Sequence, residues 1–324
     1  MKAIQIEAFG NPAEVMKLVD VPDVGAPAAG EVVIALEASP INMSDLLMIS
    51  GRYGYRPKLP SIVGTEGVGR VLAVGDGVTH LKQGDRTLIP YPSPAWVERI
   101  KADAGRLRAL PDGDPLQLAM LGINPATAYL LLTDFVTLPP GAWVIQNAAN
   151  SGVGRALIGI AKSLGLKTVN VVRRDDVVAD LQASGGDIVL VDGPDLNKRV
   201  ATETGGAPIA LAIDGVADTA TMNLLTCLAP KGVLVFYSAI SGKPFVGPAQ
   251  PFIFRDIAMR GFWLANWFNS ATAEQVAAMY ERLAPLVASG AITAPVAGTY
   301  RFSQIPEAVA VAQKNRGKAI FIPG

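Results

Sequence analysis

The chain has 324 residues, half of them hydrophobic and 17% charged, with 28 basic residues balancing 28 acidic ones. This composition suits a well-buried globular protein of one large or two medium domains and argues against disorder, and a net charge of zero offers no global field for nucleic acid or an anionic membrane. One cysteine, Cys227, and one histidine, His80, cannot build a four-ligand zinc site of the thiolate or imidazole kind or an internal disulfide, so no metal is expected.

The opening MKAIQIEAFG alternates like a strand and lacks a continuous apolar signal core, which makes a cytoplasmic protein the expectation. Up to about Pro111, β-type runs such as EVVIALEAS, GVGRVLAVGDGV and GDRTLIPY sit between glycine turns, the texture of an irregular β-rich domain. From Gly141 the texture becomes alternating: WVIQN, a helix over 152–164 closed by Gly165, TVNVV, a polar helix, DIVLV, another helix, IALAID, a helix through Leu228, and GVLVFY. Strands alternating with helices predict a parallel sheet covered on both faces, a doubly wound α/β domain. The uncharged stretch from Leu283 to Tyr300 is interrupted by Pro285, Gly290 and Pro295, and reads as a helix end plus a strand instead of a membrane span. The β texture returns near residue 293 with APVAGTYRF, then a helix from Ile305 and a last strand KAIFI, and this tail is expected to rejoin the first domain.

Overlaying the pattern G-x-G-x-x-G on NAANSGVGRA (147–156) puts Ala149, Ser151 and Gly154 at the glycine positions, with an extra glycine at Gly152. Small residues at the first two positions still permit a tight turn and close approach of backbone N–H groups to a pyrophosphate. Alone the motif fits a plain strand-to-helix turn equally well; its place after a strand, before a helix and at the opening of the α/β half favours a cofactor site. The following strand ends in VNVVRRDD. An NAD site usually carries Asp or Glu there, whereas Arg173 and Arg174 match a 2′-phosphate, so NADP(H) is the cofactor expected. The alternative is a solvated helix start with the arginines paired to Asp175 and Asp176.

The chain resembles the medium-chain dehydrogenase/reductase superfamily almost end to end. Within it, VIQNAANSGVGRALIGIAKSLGLKTVNVVR, INMSDLLMISGRYGYRPKLPSIVGTEGVG, LGINPATAYLLL and IFRDIAMRGFWLANW are similar to the mitochondrial-type 2-enoyl thioester reductases. The resemblance implies a Rossmann domain over 122–292, inserted in a GroES-like catalytic domain over 1–121 and 293–324, with the active site in the cleft between them. It implies NADPH as donor, no zinc, and a homodimer. It puts the family's proposed catalytic tyrosine at Tyr53 in GRYG. Cofactor contacts fall on Asn124 and on Asn150, Ser151, Gly152 and Val153 of the turn. Further contacts fall on Arg173, Arg174 and Asp175, on Tyr237, Ser238, Ala239 and Ile240, on Phe262, Trp263, Leu264 and Ala265, and on Lys318. The sequence departs from the family twice. Arg-x-Arg becomes Arg-Arg-Asp, leaving Asp175 where a second phosphate-binding arginine is expected and Arg174 to take over, and Ser238 and Ala239 replace a glycine pair.

Reduction of an enoyl thioester needs hydride at the β carbon, stabilisation of charge on the thioester oxygen and a proton at the α carbon. A phenol of ordinary pKa, about 10, is neutral at pH 7, so Tyr53 can donate that proton or bond the developing enolate, with Tyr55 as its competitor and ring packing as the alternative role. Asn42, with Ser44 and Asp45 in INMSD, reads as an orienting group or a helix cap. Trp263 and Trp267 wall an acyl pocket or pack in a core. His80 is expected in an exposed turn, and Cys227 as a buried small hydrophobe. Arg52, Arg56, Lys58 and Arg255 are available to a phosphopantetheine but stay unassigned. The substrate expected is enoyl-CoA or an enoyl carrier protein; a quinone or enone reductase of the same superfamily and a non-catalytic NADPH-binding protein are the alternatives. A sheet edge near GVLVFYSAI is the candidate dimer interface.

Overall fold

The computed structural model describes residues 1–314 and 316–324. It divides into two units, Met1–Ile123 with Ala271–Gly324, and Asn124–Ser270.

The first unit opens with β1 (Lys2–Ile6), which buries Ala3, Ile4 and Ile6 and pairs antiparallel with β2 (Met16–Asp20) across α1 (Pro12–Val15). The ten-residue β3 (Glu31–Pro40) is buried on both faces and therefore reads as one apolar run. It leads through α2 (Met43–Ile49) to the short β4 (Ser61–Ile62), which closes the small sheet on β1. β5 (Val68–Val74) and β7 (Arg99–Asp103) both pair antiparallel with β3, and β6 (Arg86–Leu88) pairs with β5, before α3 (Pro115–Leu118) ends this part.

The second unit runs α4 (Asn124–Thr133), β8 (Trp143–Gln146), α5 (Gly152–Ser163), β9 (Lys167–Val172), α6 (Val178–Ala183) and β10 (Ile188–Val191). It continues with α7 (Leu196–Thr204), β11 (Ile209–Asp214), α8 (Thr219–Cys227), β12 (Val233–Phe236), α9 (Gln250–Arg255), β13 (Ala258–Gly261) and α10 (Leu264–Ser270). The six strands are all parallel in the order β10-β9-β8-β11-β12-β13. This is the dinucleotide-binding order, reversing direction between β8 and β11, where such sheets bind ligand outside the carboxyl ends of their strands. The sheet edge expected near GVLVFYSAI is corrected: β12 is paired on both sides, and the edge strand on that side of the sheet is β13.

The tail supplies α11 (Ala273–Ala288), β14 (Val296–Tyr300), α12 (Ile305–Lys314) and β15 (Lys318–Phe321). β15 pairs antiparallel with the end of β3, and its Phe321 ring meets the fully buried Trp96 edge-on at 5.1 Å. Two such rings removed from water contribute on the order of 2 kcal/mol each. The return to the first unit falls after Ser270, earlier than the residue 292 expected from sequence. The reason is that α11 belongs with the first unit: Tyr280 donates to the Gly122 carbonyl at 2.9 Å, and beyond the helix the Gln117 side chain exchanges two hydrogen bonds with the Ala294 backbone. Among the described residues no helix is long and apolar enough to cross a membrane.

Candidate active site

In the second unit, the candidate cofactor residues follow the carboxyl ends of parallel strands. Asn150 to Val153 come after β8, Arg173 and Arg174 after β9, Tyr237 to Ile240 after β12, and Phe262 to Ala265 after β13. Parallel topology alone therefore brings them to one edge of the sheet. The glycine-poor turn makes its reversal at Ala148, whose φ of +48° is left-handed, a conformation costing an L-residue about 1 kcal/mol or more. Ser151 caps α5 by accepting from the Gly154 N–H at 3.1 Å. Gly154 cannot be larger, because a Cβ there would lie 2.5 Å from the Ala149 carbonyl oxygen. Helix geometry leaves the N–H groups of Gly152 and Val153 without intrahelical acceptors. Beside them, Asn124 holds a buried Nδ2 with no protein partner, its amide 3.0 Å from where a Gly152 Cβ would stand. A cradle open at a glycine, ringed by backbone donors and an orphaned amide, fits a dinucleotide diphosphate.

At the switch point, Asp214 ends β11 fully buried and accepts four hydrogen bonds. Three reach Oδ1, from Asn147 Nδ2 at 2.7 Å, Val216 N at 2.8 Å and Ala217 N at 2.9 Å, and one reaches Oδ2 from Thr221 Oγ1 at 2.6 Å. Asn147 Oδ1 in turn accepts from Gly215 N at 2.8 Å. These bonds hold a loop in which Ala217 and Asp218 both have positive φ, +64° and +59°. The loop then accepts from Ile240 N at Gly215 O and from Ser241 N at Val216 O, both at 3.1 Å, so one buried carboxylate orders the segment that carries Tyr237 to Ile240. The Tyr237 hydroxyl lies 3.4 Å from Ser151 Oγ, and burial pushes its phenol up to about 12.

Past β9, Arg174 ion-pairs with Asp176 at 3.1 Å, the arrangement weighed above as the alternative to phosphate binding, while Arg173 is exposed and has no carboxylate partner among the described residues. Phe262 packs edge-on against Phe135 at 6.0 Å, and Trp263 and Trp267 are half-buried. Arg255 lies in this unit and spends a guanidinium N–H on the Leu225 carbonyl at 3.4 Å. Cys227, half-buried, donates to the Asn223 carbonyl, and burial raises its thiol to about 11.

Lys318 and Tyr53 belong to the first unit. Pairing of β15 with β3 brings Lys318 to Asn42, to whose Oδ1 its ammonium donates. Asn42 Nδ2 donates to Glu66 Oε1 at 2.7 Å, and its backbone N–H donates to Asp45 Oδ2 at 2.7 Å. Asn42 stands at the N-cap position of α2, but its side chain is spent on a carboxylate and an ammonium. Glu66 Oε2 accepts from Ile123 N at 2.8 Å, and Asp45 Oδ1 accepts from Thr65 Oγ1 at 2.6 Å. Burial raises Glu66 to about 7, offset in part by Lys318, and raises Asp45 to about 6, while burial lowers Lys318 against the pull of the two carboxylates. The amide occupies one of the ammonium's three donors, and no further acceptor of its N–H groups is seen among the described residues.

Tyr53 follows α2 on the loop from Gly51, half-buried, its ring packed against the unit's apolar core; Tyr55 is 56% exposed. A third phenol joins them. Tyr91 is raised by burial and then by the nearby phenols of Tyr53 and Tyr55. His80 is exposed, its Nε2 2.9 Å from the Ala104 carbonyl oxygen. Sequence reading missed Glu66, Thr65, Tyr91, Asn147 and Asp214. Asn147 and Asp214 each stand at the carboxyl end of an apolar strand run, a signal present in WVIQN and IALAID; Glu66 and Tyr91 carry no such signal. Among the described residues no three His, Cys, Asp or Glu side chains converge to hold a metal ion.

Residues 28–113 match the family model "Alcohol dehydrogenase GroES-like domain" and residues 152–282 match "Zinc-binding dehydrogenase". The chain is 39% identical to the mitochondrial enoyl-[acyl-carrier-protein] reductase of Mus musculus over 91% of this chain and 81% of that one. It is 38% identical to the Homo sapiens protein of the same name over 94% and 82%. Among solved structures, a putative NADPH:quinone reductase of Bacillus thuringiensis superposes with a TM-score of 0.89 at 28% identity, covering 100% of this chain and 99% of that one. Quinone oxidoreductase of Escherichia coli, solved with NADPH, superposes with a TM-score of 0.85 at 27% identity, covering 100% of both chains. The curated relatives are named as mitochondrial proteins, which overturns the cytoplasmic expectation drawn from the opening residues. A GroES-like β unit, a six-stranded dinucleotide-binding sheet and this degree of identity over nearly the whole length establish that the chain belongs to the enoyl-[acyl-carrier-protein] reductases of the medium-chain dehydrogenase/reductase superfamily.

Proposed function

We propose that the protein reduces the C2–C3 double bond of 2-enoyl thioesters with NADPH. The observation that carries this reading is 39% identity across 91% of the chain to an enzyme named for enoyl-thioester reduction. When bound, the nicotinamide supplies the hydride for the β carbon. The chain's residues do the rest. The backbone N–H groups of Gly152 and Val153, flanked by Asn150 and Ser151 of the same turn and by the Asn124 amide, hold the diphosphate, and Arg173, assisted by Arg174, meets the 2′-phosphate. Tyr237, Ser238, Ala239 and Ile240 with Phe262, Trp263, Leu264 and Ala265 orient the nicotinamide half, and the Lys318 ammonium binds a cofactor oxygen. Tyr53 donates the proton to the α carbon. The protein acts as a homodimer joined through the β13 edge, beside which Ile253 and Phe254 of α9 are 68% and 80% exposed; a strictly monomeric species in sedimentation counts against this.

The test is NADPH oxidation by the purified protein with crotonyl-CoA and, in parallel, a small quinone, with NADH as the alternative donor. Thioester-dependent oxidation that prefers NADPH and falls ~10²–10⁴-fold in Tyr53→Phe is the expected result. A quinone reductase is the second reading, favoured by the 0.89 TM-score to the Bacillus thuringiensis protein. Quinone-only turnover that Tyr53→Phe leaves intact selects it.

A further inference from the structure

The loop around Tyr53 carries a charge that the proposed chemistry does not use. Arg52, Arg56 and Lys58 fall within seven residues, all three are exposed, and no Asp or Glu occurs from Leu46 to Thr65. In a chain of zero net charge this is a local excess of three positive charges. Eight other cations of the described residues sit in ion pairs with carboxylates, and none of these three does. Glu14, a carboxylate of the neighbouring N-terminal stretch, accepts instead from Asn11 Nδ2 at 2.8 Å.

Two of the three cations are also held in position. Arg52 Nε donates to Ser50 Oγ at 3.2 Å, and the Arg56 guanidinium lies 5.9 Å from the centroid of the Phe9 ring. Neither contact neutralises charge, and each leaves guanidinium N–H groups for an anion. Between them Tyr55 presents an exposed ring. An acyl thioester on a pantetheine arm is apolar at the reacting end and carries phosphate at the far end. Cations serving it must lie away from the acid, along the surface. From Tyr53 to Lys58 the chain spans at most ~17 Å, and side chains extend further, the scale of such an arm.

We infer that the Arg52 to Lys58 loop is the subsite for the phosphates of a pantetheine-linked thioester, fixing the carrier end of the substrate while Tyr53 serves its acyl end. The inference rests on the thioester-reductase reading and names the part of the substrate that this loop selects. Guanidinium groups match phosphate oxygens with paired N–H donors, and Lys58 adds a point charge.

The experiment compares crotonyl-CoA, crotonyl-4′-phosphopantetheine and crotonyl-pantetheine, which carries no phosphate, using the NADPH-loaded wild type, the triple variant Arg52→Glu, Arg56→Glu, Lys58→Glu, and the neutral triple variant with Gln at the same positions. The expected result is that the KM ratio of crotonyl-CoA to crotonyl-pantetheine rises about tenfold or more on charge reversal and by less on neutralisation, with added salt narrowing the difference between wild type and variants. A rise shared by crotonyl-4′-phosphopantetheine assigns the contact to the phosphate common to coenzyme A and carrier proteins; a rise confined to crotonyl-CoA assigns it to the nucleotide phosphates. An unchanged ratio overturns the inference and leaves the reductase reading intact. A wild type inactive on all three thioesters overturns both.

Discussion

Glu66→Gln probes the buried charge network of the first unit. Burial moves the Glu66 midpoint from 4.5 to about 7. The folded protein therefore holds this proton more tightly than the unfolded chain does, so the stabilisation is complete below pH 4.5 and is lost as pH rises through 7. Over that whole window the loss amounts to ~3 kcal/mol for one carboxyl. Glutamine cannot ionise and removes this dependence. It also turns one acceptor into a donor, so either Asn42 Nδ2 or the Ile123 N–H loses its acceptor, at a pH-independent cost of ~1–3 kcal/mol. The variant is accordingly less stable than wild type at about pH 5 and gains ~2–3 kcal/mol relative to it by about pH 8.5. Asp45, raised to about 6, keeps its own smaller slope in both proteins. Urea denaturation of the two proteins at both pH values measures the difference. A stability gap that stays constant between them refutes the reasoning, because it means that Glu66 ionises in the folded state as it does in the unfolded one.

Lys318→Met removes an ammonium with no acceptor beyond Asn42 seen among the described residues; the NADPH dissociation constant, read by quenching of cofactor fluorescence, should rise ~10–100-fold, and an unchanged value removes Lys318 from the site. Arg173→Ala should raise the KM for NADPH ~10-fold and spare that for NADH, with a smaller effect from Arg174→Ala because Asp176 already holds that guanidinium; equal effects on the two cofactors would separate Arg173 from the 2′-phosphate. Asp214→Ala strands four buried donors and should cost ~3 kcal/mol or more in urea denaturation while weakening NADPH binding, whereas Asp214→Asn, which retains Oδ1 for three of them, should cost ~1 kcal/mol; equal losses in the two variants would contradict the assigned geometry.

Much of the architecture is legible in local pattern. WVIQ, KTVNVV, IVLV, IALAID and VLVF are short apolar runs separated by helical stretches, and each became a parallel strand because only a sheet covered on both faces buries such runs completely. Gly154 was legible too, since a close helix–strand contact demands glycine, whereas Ser151 was legible only as a small turn residue and its capping of α5 emerged in the structure. The left-handed position was not legible. It falls on Ala148, a residue that nothing in the sequence marks, and the surrounding hydrogen bonds hold it there. The pairing of Arg174 with Asp176, and the lack of a carboxylate partner for Arg173 among the described residues, were equally hidden, because RRDD permits either arginine either role.

Sequence by itself determined the fold class, because alternating strands and helices report their own burial, whereas the reading of the turn as a nucleotide site rested on its place between strand and helix and the candidacy of Tyr53 rested on resemblance to the family. Tertiary structure alone decided that Asn42, Glu66 and Lys318 form one network, since the link spans 276 residues of chain and exists only because β15 pairs with β3. It also decided that the β13 edge, and not β12, is left unpaired in the parallel sheet, and that Asp214 orders the loop after β12. A buried carboxylate acquires its partners from whatever the fold brings beside it, and no local pattern encodes that choice.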